Sequence, residues 1–338
     1  MIKELLNKIC AGQDLTYDEA KTAVDEIMSS AVSEAVTASF LTALAMKGET
    51  DDEIAGAAYA MRSKAMPFAA DCDVLDIVGT GGDKSNSFNI STVSAFVAAA
   101  AGIKIAKHGN RSASSKCGTA DCLEALGVKI DCDTAVMQKA LKDENMAFLF
   151  AQKYHSAMRF VGPVRREIGI RTVFNILGPL TNPAHASRMV LGVFDKAYVL
   201  KIAKALTRLG VTDALVVYGL DCLDEISAGD ATYVAEVRDG NITDYEIKPE
   251  DFGFERVSKS DLLGSAPAEN AEIAKNILSG HGTDAQNTAV SLNAGACIYV
   301  SQRGISFINA VKKAKEILLS GKGSEVLEKF IETTNEKV

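Results

Sequence analysis

The sequence predicts an α/β protein, with a small helical domain over residues 1–70 and a larger α/β domain over 71–338 built on a mostly parallel sheet. Three observations predict it. The first 67 residues carry helical periodicity and two capping boxes, and no strand pattern. From residue 74 onward, short apolar runs alternate with helical stretches, as strand–helix–strand units do. The chain has 338 residues and is 47% hydrophobic, enough for a large core and a smaller one.

The elements follow in order. Thr16-Tyr-Asp-Glu19 and Thr50-Asp-Asp-Glu53 each place a hydroxyl at a helix cap and a carboxylate three residues on. Between them Phe40, Leu41, Leu44 and Ala45 recur at helical spacing, Gly48 supplies a stop, and Pro67 closes the segment. Strands are expected over 74–78, 103–106, 146–150, 189–194 and 214–218, with helices over 91–101 and 198–209 among them. Residues 232–237 and 242–247, joined through Asp239-Gly240-Asn241, read as an antiparallel hairpin. From residue 268 the pattern is mostly helical again, and no internal repeat occurs.

Composition narrows the function. The net charge of −8 argues against non-specific nucleic-acid binding, which needs Lys and Arg to neutralise phosphates. Seven cysteines, an odd number with no C-x-x-C pair, and only four histidines indicate neither a zinc site nor a disulfide framework. Reduced thiols packed as small apolar residues are expected. The opening Met-Ile-Lys-Glu-Leu-Leu-Asn-Lys lacks the apolar core of a signal peptide, and the apolar stretch around 95–101 is too short to span a bilayer. A cytoplasmic protein with no membrane partner is the expectation.

Four segments carry chemistry. Gly79-Thr-Gly-Gly-Asp83 ends an expected strand, where open α/β sheets bind ligands, and its glycines let backbone N–H groups approach phosphate. Asn89, Ser91 and Thr92 open the following helix, whose positive end faces the same space. The bland alternative is a tight turn before an ordinary cap. Lys107-His-Gly-Asn-Arg-Ser-Ala-Ser-Ser-Lys116 also follows a strand, and combines cations with small hydroxylated residues suited to phosphate. A solvated surface loop is its alternative. Asp224-Glu225 offers hard oxygen ligands for a divalent cation; a solvated acidic loop is equally consistent with spacing alone. Arg165, Arg166 and Arg171 are candidates for a carboxylate, with Gly178-Pro-Leu-Thr-Asn-Pro183 as a rigid apolar wall; helix-surface arginines before a structural turn remain open. The residues by themselves describe a phosphate-binding α/β enzyme using magnesium.

Together the segments resemble the anthranilate phosphoribosyltransferase family. The resemblance rests on Asp76-Ile-Val-Gly-Thr-Gly-Gly-Asp83, Ser87-Phe-Asn-Ile-Ser-Thr92, Lys107-His-Gly-Asn-Arg-Ser-Ala-Ser-Ser115, Phe174-Asn-Ile-Leu-Gly-Pro-Leu-Thr-Asn-Pro183 and Asp224-Glu-Ile-Ser227, and spans nearly the whole chain. It implies transfer of the phosphoribosyl group of phosphoribosyl pyrophosphate (PRPP) to the amine of anthranilate, in tryptophan biosynthesis. It implies a fold of the nucleoside phosphorylase and phosphoribosyltransferase type, magnesium as cofactor, and a homodimer formed through the helical part. The PRPP positions it implies are Gly79, Gly82, Asp83, Ser87, Asn89, Ile90, Ser91, Thr92, Lys107, His108, Gly109, Asn110, Arg111, Ser112, Ala113, Ser114, Ser115 and Thr119. Gly79, Asn110 and Arg165 match anthranilate positions, with His108 and Pro179 lining the route; Ser91, Asp224 and Glu225 match magnesium positions.

The chain departs from the usual pattern at Lys84, where a small residue is commoner, and at Ser87, Thr119 and Cys222, where Thr, Ser and Gly are commoner. No general base is assigned, because an aromatic amine is already nucleophilic. Two other functions fit the sequence less well. A pyrimidine-nucleoside phosphorylase of the same fold is disfavoured by Asn110, Arg165 and the acidic pair. A non-catalytic nucleic-acid-binding relative is disfavoured by the acidic composition.

Overall fold

The computed structural model describes residues 1–112 and 116–336. Four helices come first: α1 (Ile2–Cys10), α2 (Tyr17–Met28), α3 (Glu34–Lys47) and α4 (Asp51–Ser63). Both expected capping boxes form, with Thr16 accepting from the Glu19 amide and Thr50 from the Glu53 amide. Gly48 ends α3 at φ 84°, a left-handed value that costs glycine little. Glu53 does more than cap. Its buried carboxylate also takes the Leu15 amide at 2.8 Å and Lys47 Nζ at 2.9 Å, which ties the start of α4 to α3 and to the turn before α2.

The sheet contains β1 (Leu75–Gly79), β2 (Ile105–Gly109), β3 (Met146–Phe150), β4 (Arg188–Gly192), β5 (Asp213–Gly219), β6 (Thr232–Arg238) and β7 (Asn241–Ile247). Their order is β3-β2-β1-β4-β5-β6-β7. The pairs from β3 to β5 are parallel, and β5-β6 and β6-β7 antiparallel. Asp239 and Gly240, at φ 49° and 80°, make the two-residue hairpin turn, with Asn241 already paired. Intervening helices are α5 (Ile90–Ala100), α6 (Thr119–Ala125), α7 (Thr134–Glu144), α8 (Ala151–Tyr154), α9 (Gly162–Ile168), α10 (Phe174–Leu180) and α11 (Val199–Arg208). The helices α12 (Pro267–Leu278), α13 (Asp284–Ser301), α14 (Phe307–Leu319) and α15 (Lys322–Asn335) complete the chain.

Alternate residues of the central strands feed two cores, as the two-residue period of a strand requires. Val190, Leu215 and Val217 pack with α5 and α13; Met189, Leu191, Ala214 and Val216 pack with α11 and the N-terminal helices. The helical segment is thus sealed to one sheet face by shared apolar burial. Arg62 of α4 reinforces the seam, donating to Leu180 O at 2.6 Å and Leu209 O at 3.2 Å, the carbonyl ends of α10 and α11. Among the described residues no helix is long and apolar enough to cross a membrane.

Two expectations change. The second strand runs to Gly109 rather than ending at 106, so Lys107 and His108 are strand residues and not loop. Burial of these polar side chains is tolerated because Lys107 Nζ donates to Ile77 O at 2.5 Å and His108 Nδ1 lies 3.1 Å from Gly178 O. The expected turn at 178–183 begins inside α10, whose last residues include Gly178 and Pro179.

Candidate active site

The chain winds outward from β1 to β2 and β3, then returns to the other side of β1 as β4 and β5. The order reverses between β1 and β4, and a crevice at the carboxyl ends of strands is expected there. Two adjoining clefts occupy it, of about 440 and 450 Å³. They share Gly79, Gly81, Gly82, Ser91, Gly118 and Thr119.

The second cleft is the polar one. The loop after β5 folds back over the strand ends, so that Asp224 accepts the Gly81 amide at 2.7 Å and Glu225 the Ser91 amide at 3.0 Å. Gly79 and Gly192 are paired across β1 and β4. Both must lack a side chain: a Cβ at Gly79 would sit 2.3 Å from Asp224 Oδ2, and one at Gly192 would sit 1.5 Å from Asp224 O. Gly81 and Gly82, at φ 69° and 78°, make the turn that exposes backbone N–H groups.

Its electrostatics are unbalanced. Burial, then the nearby negative Asp83, pushes the Asp224 carboxyl up to about 7. Burial and the adjacent Asp224 push Glu225 well above the usual carboxylate range. Glu225 Oε2 and Asp83 Oδ2 are buried without a hydrogen-bond partner. Buried acids of one sign with orphaned oxygens are what a divalent cation would satisfy. Among the described residues no group of three or more His, Cys, Asp or Glu side chains is arranged to hold a metal by itself. Magnesium commonly takes one or two carboxylates and completes its shell with substrate phosphates and water, so two acids suffice. Lys107, 1% exposed and lining the first cleft, reaches Ser91 Oγ, which both clefts share, at 3.2 Å.

The first cleft is the more apolar of the two. Met61 of α4, Met158, Phe174 and Pro179 line it, along with Arg165 and His108. Arg165 lies over the Phe174 ring at 5.7 Å, and burial alone lowers its pKa. Among the described residues no carboxylate pairs with it, which leaves a half-buried guanidinium lining the cleft. His108 and His155 sit with ring centroids 5.0 Å apart. Burial drives them to about 3 and about 4, so both are neutral near pH 7.

Known proteins share this architecture. Residues 3–65 match the helical bundle domain of the glycosyl transferase family, and 71–324 its a/b domain. The anthranilate phosphoribosyltransferase of Methanobrevibacter smithii is 55% identical over 335 residues, 99% of this chain and 100% of that protein. That of Lachnoclostridium phytofermentans is 50% identical over the full length of both. The chain belongs to the anthranilate phosphoribosyltransferase family. The family's crystal structure from Thermus thermophilus superimposes with a TM-score of 0.93 at 42% identity, covering 98% of this chain and 99% of that one. A Saccharomyces cerevisiae member in complex with PRPP and Mg gives 0.89 at 30% identity, over 98% and 97%.

Of the positions the family resemblance implied, Gly79, Gly82, Asp83, Ser87, Asn89, Ser91 and Thr119 line the polar cleft with Asp224 and Glu225. Lys107, His108, Gly109, Asn110, Arg111, Ser112 and Arg165 line the other. Ala113, Ser114 and Ser115 lie outside the described residues. Ile90 and Thr92 are fully buried and line neither cleft, because α5 turns them into the core. The Arg111 guanidinium, expected to meet phosphate, is bidentate to Glu124 at 2.5 and 2.8 Å and also reaches Asp121 at 3.0 Å. Asn89 opens α5 without capping it, since its amide bonds elsewhere.

Several lining residues escaped sequence reading. Gly192 has no local signal, since its need for a bare Cα arises from a loop 32 positions away in sequence (Gly192 to Asp224). Gly118 lies against the 110–112 backbone, where a Cβ would fall 2.3 Å from the Ser112 amide nitrogen. Gln152 and His155, just after β3, join the first cleft only through the strand order.

Cys222 takes φ 71°, in the left-handed region, at the position where the resemblance expects Gly. The strain for a non-glycine residue is roughly 1–2 kcal/mol, partly offset by the greater unfolded-state freedom of glycine. Cys222→Gly should therefore keep kcat within about twofold and leave the melting temperature unchanged or slightly higher. Abolished activity would give this thiol a role in chemistry that the site does not otherwise show.

Proposed function

We propose that the chain transfers the 5-phosphoribosyl group of PRPP to the amine of anthranilate, with the donor in the polar cleft and the acceptor in the cleft of Arg165. The observation that carries this reading is the meeting of the two clefts at Gly79, Ser91, Gly118 and Thr119. A glycine loop suited to phosphate thereby abuts a pocket holding a guanidinium that has no carboxylate partner among the described residues. In the reaction the C1–O bond to pyrophosphate breaks and a C1–N bond to the amine forms. The amine proton leaves to solvent or to the departing pyrophosphate, so a strong protein base is not required. What remains for the protein is positioning and charge stabilisation.

Backbone N–H groups of the 79–83 loop would hold phosphate oxygens, with Lys107 supplying positive charge. Asp224 and Glu225, with Ser91 beside them, would hold magnesium, which when bound neutralises pyrophosphate charge. Arg165 would orient the anthranilate carboxylate and Asn110 would contact the same substrate. His108, neutral and able to donate from Nδ1 to Gly178 O, would turn its Nε2 acceptor toward the acceptor route. Loss of anthranilate fluorescence on adding PRPP and magnesium tests the reading; phosphorolysis of a pyrimidine nucleoside instead would replace it.

The acidic pair sets a pH dependence. A carboxyl raised to about 7 contributes stability that is full below its unfolded value and lost as pH rises through about 7. Metal binding must displace that proton. The apparent magnesium affinity should fall as pH falls through 7, by about tenfold per pH unit for each proton displaced. Thermal stabilisation by magnesium with PRPP, compared at pH 6 and 8, checks this. Equal stabilisation at both would show that no raised carboxyl lies in the metal site.

We also read residues 1–70 as the dimer-forming part. Met46 and Tyr59 there are exposed apolar side chains, at 83% and 44%. Light scattering should give twice the chain mass at assay concentration; a stable monomer would remove this reading.

A further inference from the structure

We infer that Asn270 is a positioning residue for the donor cleft, fixing the Asn89 amide so that its N–H₂ edge, and not its carbonyl, is left for the phosphoribosyl donor. The inference rests on the reading above that the polar cleft binds PRPP.

An asparagine beside a phosphate must present donors, yet its two amide edges are nearly the same shape and a half-turn exchanges them. Something must choose. Asn270 is the fourth residue of α12 and 3% exposed. Its Oδ1 accepts the Ser265 backbone amide at 2.7 Å. A backbone N–H can only donate, so this bond fixes which edge of Asn270 is oxygen. The other edge is then Nδ2, which donates to Asn89 Oδ1 at 3.0 Å. Cys117 Sγ lies 3.4 Å from the same oxygen and 3.5 Å from Gly118 O, and its one proton can go to either. With Oδ1 held by Asn270, the Nδ2 edge of Asn89 is left, and among the described residues it makes one long contact, 3.4 Å to Cys117 O. Asn89 and Cys117 both line the polar cleft.

The relay is held in place from behind. Gly264 packs against Asn270 so closely that a Cβ there would lie 2.8 Å from Asn270 Oδ1. The same segment is stitched to the phosphate loop by the Ser87–Leu263 bridge and by Phe88 N to Leu262 O at 2.9 Å and Gly264 N to Asn86 O at 2.8 Å. Asn270 lies 181 positions from Asn89 and outside every motif of the family resemblance.

Asn270→Asp keeps the shape and the bond from Ser265 but offers Asn89 only an acceptor, so the Asn89 amide should rotate and turn its carbonyl to the donor. The KM for PRPP should rise about ten- to hundredfold, the loss of one hydrogen bond to a charged group, while the KM for anthranilate stays within about twofold. Asn270→Ala, which removes the donor without burying a charge, should show the same split with a smaller rise and serves if the aspartate variant fails to fold. In an Asn89→Ala background neither substitution should raise the KM for PRPP further, since the group they act through is gone. Additive effects in that background, equal rises for both substrates, or no rise with either variant would overturn the role. An Asn89→Ala enzyme with an unaltered KM for PRPP would overturn the role as well, whereas an unsubstituted enzyme that consumes no anthranilate with PRPP and magnesium would overturn the donor-site reading beneath it.

Discussion

Replacing Asp224 and Glu225 together by alanine is expected to lower kcat by about two to four orders of magnitude while the protein stays folded. The size follows from losing metal-assisted charge stabilisation on the leaving group, worth several kcal/mol. The intact fold follows from the cost these carboxyls impose. Both are raised above the ordinary carboxylate range by burial, with Asp224 also pressed by Asp83 and Glu225 by Asp224. Removing two acids whose ionisation is opposed by burial and by each other spares that cost, so near neutral pH the melting temperature should hold or rise. The bonds lost are those to the Gly81 and Ser91 amides, at 2.7 and 3.0 Å. Steady-state kinetics over a magnesium series, with melting curves alongside, measure both effects. Unchanged turnover at limiting magnesium would refute the metal assignment.

Arg165→Ala should raise the KM for anthranilate about ten- to hundredfold and leave that for PRPP nearly unchanged. A planar guanidinium pairs bidentately with a carboxylate, and such a charge-assisted contact is worth roughly 1.5–3 kcal/mol. Arg165 lines the first cleft but not the polar one, and its residue-to-ring contact is with Phe174 of α10. Among the described residues it makes no hydrogen bond to the 79–92 segment, so its loss removes none there. Comparable rises for both substrates would make Arg165 structural or phosphate-binding. Normal anthranilate kinetics would move the acceptor pocket elsewhere.

What could be read in the sequence was whatever local chemistry announces. The caps at Thr16 and Thr50 and the Asp239–Gly240 turn need only neighbours in the chain, and all three form as expected. The glycine loop at 79–82 was legible for the same reason. Residues whose role depends on distant partners were not. Lys107 and His108 look like loop residues because strands seldom bury cations and imidazoles; Ile77 O, Ser91 and Gly178 O make it tolerable, and nothing near position 107 reveals them. Ile90 and Thr92 share a motif with Ser91, yet the helix they open turns them inward. Arg111 reads as a phosphate ligand until α6 places Asp121 and Glu124 beside it. Gly192 and Asn270 answer to atoms far away in sequence, and no local pattern distinguishes them.

The measurement that tests the account most directly follows anthranilate and pyrophosphate together in one reaction of the purified chain with PRPP and magnesium. One pyrophosphate should appear for each anthranilate consumed, and both signals should vanish when PRPP or magnesium is left out. Pyrophosphate released without loss of anthranilate would mean that water attacks the anomeric carbon and that the Arg165 cleft is no acceptor site. No change in either signal, in a folded protein, would contradict the account altogether.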